Sequence, residues 1–380
     1  MKRIIQIFTA AALSICLCLC WLGMPARAED ASAAVMAEQA LCVRAGCEPG
    51  KLLAHESWAR PGNSGSDWMA FVFAVNGVRE EYGIYLKGLE KYVTERYAEQ
   101  DCLDPILATD YHRVALTVLA LGGDPRAFGR DRDGKPVDLV ADGVWDFCGE
   151  LGAQGLNGFV YALILMDACG CEAPADSSVD RQWLLDRILS DQNEDGGFGF
   201  VPGYSDVDMT AMTLTALAPY AAEHSAECER ALDYLAACQD EDGEFVSFGA
   251  ANAESAAQTL LALCSLGVDP EKEQRFIKNG VTLPDVLERY RLADGTYAHV
   301  TGDTTDAMAT EQALLAMTAL ARLRDGGPRV YDLTAHIPPT DAGGDALRIA
   351  APIAAVLLIA AATAGIVIFG RKRKHADADK

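Results

Sequence analysis

Ionisable and amide side chains recur at matched points of six apolar stretches. Two residues after the Asp or Asn that opens each stretch stand Met69, His112, Phe159, Asp208, Glu254 and Met308, and four further on stand Phe73, Leu116, Leu163, Met212, Gln258 and Gln312. Residues four apart share one face of a helix. The chemistry of this stripe changes from stretch to stretch, as expected of a surface that meets a ligand or a lumen. Two readings stand side by side for its charged members. Asp208 and Glu254 either bind at a pocket or compensate the positive end of a helix dipole, and His112 is either a pocket residue or a hydrogen-bonded packing residue. Trp68, Tyr111, Tyr161 and Tyr204 offer flat rings to a ligand or to the core. One residue breaks a column. The fifth position reads Val72, Ala115, Ala162, Ala211, Ala257 and then Glu311. Small residues there suggest close helix packing, and an unpaired buried carboxylate is costly. Glu311 is therefore expected to meet lumen water, a partner or a ligand, or to sit in solvent on a displaced terminal helix. Asp191, Asn193, Asp195 and Gly196 fit the first half of an EF-hand-type calcium loop, but Pro202 stands where its Glu belongs, so no metal is assigned.

The elements that must position these side chains follow from repetition. The six stretches open at Asp67, Asp110, Asn157, Asp206, Asn252 and Asp306, in steps of 43, 47, 49, 46 and 54 residues. Each opening residue suits a helix N-cap, where a side-chain oxygen accepts an orphan backbone N–H. Between them lie amphipathic stretches, Glu80–Gln100, Val179–Asp191, Glu223–Gln239 and Phe276–Arg291, with a shorter spacer around Pro136–Phe147. Helices apolar on every side are buried all round, and helices with a polar face cover them. The expected fold is all-α: an (α/α)6 toroid barrel of six parallel inner helices inside six outer ones, their N-termini gathered at one mouth, with an open solenoid as the rival. A second repeat, Asp-Gly at 195, 242 and 294 followed by Phe198, Phe245 and Tyr297, marks a left-handed Gly that ends each outer helix and an aromatic that packs back.

At Gln192-x-x-Asp195-Gly196-Gly197-Phe198-Gly199 the chain resembles the terpenoid cyclase/protein prenyltransferase α/α-toroid superfamily, the prenyltransferase and squalene oxidase repeats. The resemblance covers roughly residues 35–325. Asp206-Val207-Asp208-Met209-Thr210-Ala211 is similar to the cyclase motif Asp-x-Asp-Asp-Thr-Ala, which implies Asp208 as the protonated acid that donates to an alkene. Met209 replaces the third Asp. Such cyclases usually use two barrels, and one is expected here. The zinc set of protein prenyltransferases has only Asp146-Phe147-Cys148 as a counterpart, without a matching His. In architecture the chain looks closest to the single-barrel cobalamin-binding branch, whose small lid domain would have to come from a separate protein. The resemblance thus implies a cobalamin-like or isoprenoid ligand and names no certain cofactor. The sequence favours binding of a small molecule or surface protein at the mouth without catalysis, through Trp68, Tyr111, His112, Asp206, Asp208, Glu254, Gln258, Asp306, Glu311 and Gln312. The alternative is a terpene cyclase/prenyltransferase-like enzyme using Asp208.

The two ends set the expected address. Lys2 and Arg3 precede an apolar run that closes on Ala26-Arg27-Ala28, the form of a signal peptide spanning 1–28. Residues 349–370 are without charge and long enough to cross a bilayer, and Arg371, Lys372, Arg373 and Lys374 would stay inside. That leaves a toroid at 29–325, a stalk at 326–348 and a cytoplasmic tail at 371–380, in a single-pass cell-surface protein. Of 380 residues, 55 are acidic and 32 basic, a net charge of −23, which disfavours nucleic acid as a partner. Nine cysteines follow the expected cleavage point, an odd number, so at least one is unpaired or bridges chains. Cys228 and Cys238, ten residues apart on one helix, cannot bridge each other.

Overall fold

Runs of Ala, Leu, Val and Phe without a polar face give helices that only a core can hold, and six of them form. The computed structural model describes residues 30–247, 249–336 and 338. In chain order the helices are α1 (Asp30–Ala45), α2 (Ser64–Val75), α3 (Tyr82–Gln100), α4 (Ala108–Ala120), α5 (Leu139–Gly143), α6 (Leu156–Cys169), α7 (Arg181–Ser190), α8 (Val207–Leu217), α9 (Ser225–Cys238), α10 (Ala253–Leu266), α11 (Leu283–Glu288) and α12 (Ala307–Asp325). The even-numbered helices from α2 to α12 are the inner ring. In α10 every residue from Ala253 to Ser265 is buried. The outer helices bury one stripe, as α3 does with Tyr82, Tyr85, Leu89, Val93 and Tyr97. Each inner helix packs on the next, and α12 packs back on α2. The ring is therefore closed and the open solenoid is excluded.

Parallel packing shows in which ends meet. Near the starts, Gln258 of α10 donates to Gln312 of α12 at 3.0 Å. At the far ends, Thr318 of α12 donates to Asn76 beyond α2 at 2.8 Å, and Arg322 donates to the Val75 carbonyl at 2.9 Å. The outer cover of α12 comes from α1, a stretch whose role the repeat pattern does not reveal. The spacer expected at Pro136–Phe147 contracts to the short α5.

Three antiparallel hairpins lead into the last three inner helices: β1 (Phe198–Val201) with β2 (Tyr204–Asp206), β3 (Val246–Ser247) with β4 (Ala250–Ala251), and β5 (Tyr297–Ala298) with β6 (Thr305–Asp306). Gly196, Gly243 and Gly295 have φ of 89°, 86° and 85°. They make the tight turn that opens each hairpin, several residues past the outer helix, rather than ending that helix. Phe198, Phe245 and Tyr297 are fully buried behind them.

The chain after α12 does not leave the ring at once. Residues 326–336, the first part of the expected stalk, run across the carboxyl ends of the inner helices. Arg329 donates to the Ser265 and Ala218 carbonyls at 2.7 and 3.1 Å, and His336 meets the Ala120 carbonyl at 3.0 Å. The Gly and Pro residues that read as a linker serve here as turns. The expected signal peptide at 1–28, the membrane span at 349–370 and the tail lie outside the described residues. Among the described residues no helix is long and apolar enough to cross a membrane.

The first two inner helices are locked by a buried ion pair. Arg113 of α4 donates to Asp67 of α2 at 3.0 Å and to Asp110 at 2.5 Å, and Asp67 also accepts from Tyr85 and the Gly62 amide. Arg113→Met leaves Asp67 buried without its cation and should cost about 3–5 kcal/mol in urea unfolding. Arg126→Met, at the largely exposed pair with Asp138, should cost less than about 1 kcal/mol.

Candidate functional site

Hairpins fix where α8, α10 and α12 begin. Asp206 caps α8, its side chain accepting from the Met209 amide at 2.9 Å. Thr210 ties the first turn to the strand before it, accepting from the Phe198 amide at 2.9 Å and donating to the Asp206 carbonyl at 2.6 Å. Thr310 repeats both contacts with Tyr297 and Asp306. Asn252 and Asp306 cap α10 and α12 in the same way, at 2.9 Å from the Ser255 and Ala309 amides. Asp206 and Asp306, expected at the mouth, are thus occupied as caps.

The first three repeats depart from this register. The caps of α2, α4 and α6 are Asn63, Leu107 and Gly155, so Asp67, Asp110 and Asn157 lie inside their helices. No hairpin precedes these helices, and each starts two to four residues earlier than the acid or amide suggests. The shift rotates the expected stripe. Tyr111 and His112 turn outward to α5 and its surroundings, away from the other candidates. The Tyr111 hydroxyl accepts from the Leu103 and Asp104 amides. His112 Nε2 lies 2.7 Å from the Gly143 carbonyl, so Nε2 carries the proton. Burial lowers its pKa to about 4, and the ring stays neutral at pH 7.

The structure does bring together an arc of carboxyl groups at the amino ends of α8, α10 and α12. Asp208, two residues past its cap, has its Oδ1 buried without a hydrogen-bond partner. Its pKa is raised to about 6, chiefly by burial, with Asp206 and Glu254 adding to the shift and the Ser255 hydroxyl opposing it. Glu254 is buried, with Oε2 2.8 Å from His299 Nδ1 on the β5–β6 hairpin and Oε1 unpartnered. Burial raises its pKa, and His299 lowers it. Glu311 is 6 % exposed, and its Oε2 has no partner. Burial pushes its pKa well up, with Asp306 adding and the Arg113 guanidinium opposing.

The lumen between these helices is narrow. Trp68, Tyr161, Gln258, Glu311, Gln312 and Tyr331 enclose about 40 Å³. Trp68 and Tyr161 rings lie 5.8 Å apart. Tyr331, carried in by the segment after α12, stacks on Phe71 at 5.6 Å. Behind Tyr331 a cavity of about 410 Å³ opens at the carboxyl ends of the ring, reaching Asp167, Arg181, Tyr220 and Arg329. Tyr204 stands exposed on the β1–β2 hairpin. Ser255, His299, Tyr331 and Arg113 were not among the sequence candidates. Of these, Arg113 had a visible signal, a charge inside an otherwise apolar helix.

In this arrangement Asp208 keeps one oxygen without a hydrogen-bond partner and has no cation among the groups that set its titration, while the Arg113 guanidinium acts on Glu311 and His299 bonds Glu254. A carboxyl group in such surroundings releases its proton at a higher pH than a solvated one.

Comparisons with known proteins bear on this arrangement. Residues 150–266 and 212–336 match the family described as Prenyltransferase alpha-alpha toroid domain. Over 144 residues the chain is 29% identical to the drimenyl diphosphate synthase of Streptomyces showdoensis, covering 37% of this chain and 27% of that protein. Over 92 residues it is 36% identical to the drimenyl diphosphate synthase of Streptantibioticus cattleyicolor, covering 23% of this chain and 17% of that protein. The chain thus spans about a quarter or less of the length of the curated relatives it matches. The structure of Candida albicans protein geranylgeranyltransferase-I complexed with GGPP aligns with a TM-score of 0.46 at 11% identity, over 76% of this chain and 91% of that one. These matches correct the expectation of a protein that binds without catalysis, because the curated relatives are named as synthases. They carry the toroid and not its cobalamin-binding branch. Residues 150–336 of this chain, just under half of it, are thus similar to the prenyltransferase alpha-alpha toroid domain.

Proposed function

We propose that the protein is an enzyme of terpene-cyclase type, acting on an isoprenoid, in which Asp208 is the proton donor. The observation that carries this reading is the half-buried Asp208 carboxyl at the start of α8, its Oδ1 shielded and unpartnered and its pKa raised to about 6. Its place in Asp206–Ala211, and relatives named drimenyl diphosphate synthase, support the same chemistry. Asp208 gives its proton to one alkene carbon, and the cation left on the neighbouring carbon closes onto a second double bond. A later C–H proton loss to solvent quenches the product cation, and Asp208 recovers a proton from water.

Met209 stands in place of the motif's third acid and is fully buried in helix packing. The proton on Asp208 is therefore held by desolvation and by the negative charge of Asp206 and Glu254 beside it. A substrate of isoprenoid size needs several hundred Å³, and the lumen offers about 40 Å³. Tyr331 is the wall common to the lumen and to the cavity of about 410 Å³ behind it. Withdrawal of that ring joins the two spaces, so the proposal includes displacement of Tyr331 when substrate enters.

Asp208→Asn should lower turnover of farnesyl diphosphate by about 10²–10⁴-fold, the usual worth of a general acid, read by product analysis of the purified chain. The active form is the protonated one, so the wild-type rate should fall as pH rises through about 6. The same variant should gain stability at neutral pH. A folded pKa of about 6 against a reference of 3.8 means the folded state holds the proton more tightly. The associated stabilisation is full below pH 3.8 and lost as pH rises through 6. Removing the ionisable group should therefore add up to about 3 kcal/mol at pH 7, seen as a higher urea midpoint. Tyr331→Ala should widen the lumen and raise kcat/KM for the isoprenoid while lowering stability by about 3 kcal/mol, and Tyr331→Phe should leave both close to wild type.

A further inference from the structure

A second set of reactive side chains lies in the outer layer, lining neither the lumen nor the cavity behind Tyr331. Glu38 and Cys42 stand one turn apart near the end of α1, and Glu80 comes from the connection between α2 and α3. One ligand-type atom from each of the three lies within 4.8 Å of the other two. Glu38 is 2 % exposed, and Cys42 and Glu80 are not exposed at all. The Cys42 thiol donates to Glu38 Oε1 at 2.9 Å, and that oxygen also accepts the Gly50 amide at 2.7 Å. Glu80 accepts the Leu52 and Leu53 amides, both at 3.1 Å. The Cys47 amide donates to the Cys42 carbonyl at 2.9 Å, closing the turn that ends α1.

Two carboxylates buried side by side are costly without a compensating cation. Their donors here are backbone amides and a thiol, which hold the oxygens in place but carry no positive charge. Carboxylate oxygens with a thiol sulfur form a mixed set. Magnesium and calcium take oxygen ligands alone, whereas zinc accepts sulfur and carboxylate together in a tetrahedral site.

We infer that Glu38, Cys42 and Glu80 form a binding site for a zinc-type divalent cation, with water completing its tetrahedral shell. Binding forms metal–oxygen and metal–sulfur bonds and releases the Cys42 proton to solvent, without change of oxidation state. The ion joins the end of α1 and the loop at 48–54 to the start of α3. It thereby fastens the helix that covers α12, where the ring closes.

The test uses the full chain purified under reductant, stripped with chelator and dialysed against zinc or cobalt(II). Elemental analysis should find equimolar zinc. The cobalt form should show a sulfur-to-cobalt charge-transfer band in the near ultraviolet, and zinc should raise Tm. Cys42→Ser should abolish the band and the Tm shift, whereas Cys264→Ser, at a buried thiol elsewhere, should keep both. A wild-type chain that retains no metal and shows no band would overturn the inference without any variant. So would an unchanged band in Cys42→Ser, or a Cys42–Cys47 disulfide in protein that binds no zinc.

Discussion

A carboxyl group drawn partly out of water holds its proton more tightly, and the closed ring of parallel helices is what shields Asp208 from water. If α12 did not return to α2, the amino ends of α8 and α10 would face solvent and their acids would ionise like any others. Closure is secured by contacts far from Asp208: Thr318 to Asn76, Arg322 to the Val75 carbonyl, and α1 laid over α12. Near the other end of the same helices, the Arg113–Asp67 pair joins α2 to α4. The site is thus a consequence of the whole ring.

Within the ring, two buried acids and the half-buried Asp208 meet three different surroundings. Glu254 has His299, Glu311 has the field of Arg113, and Asp208 has only a hydroxyl and two further acids. The same element, an acid in the first turns of an inner helix, is therefore stabilised as an ion to different degrees. Asp208 is the one for which nothing cationic offsets burial among the groups that set its titration. The proposed role in proton donation rests on this asymmetry. The segment carrying Arg329 and Tyr331 crosses the carboxyl end of the ring, and Tyr331 shares the wall of the lumen with Glu311.

Much of this was legible in the residues. Six apolar stretches and five steps near the length of a helical pair specified the inner ring, and the Asp-Gly-aromatic repeat located the hairpins. The caps Asp206, Asn252 and Asp306 could be read because a hairpin fixes where each helix starts. Asp67, Asp110 and Asn157 misled because no such device precedes them, and a helix begins as soon as local turns allow. That displacement carried Tyr111 and His112 to the outside. The pairing of Asp67 with Arg113 depends on packing between residues 46 apart, which a pattern of periodicities does not encode. Residues 326–336 read as a linker because Gly and Pro mark turns wherever they occur, including turns that lie across a core.

The central claim is that Asp208 holds a proton well above the ordinary carboxylate range. A carbon-13 NMR titration of the Asp208 side-chain carboxyl, assigned by its loss in Asp208→Asn, measures this directly. The account predicts a midpoint near 6. A midpoint at the ordinary aspartate value near 3.8 would leave the group ionised throughout the working range and would contradict its role as the acid.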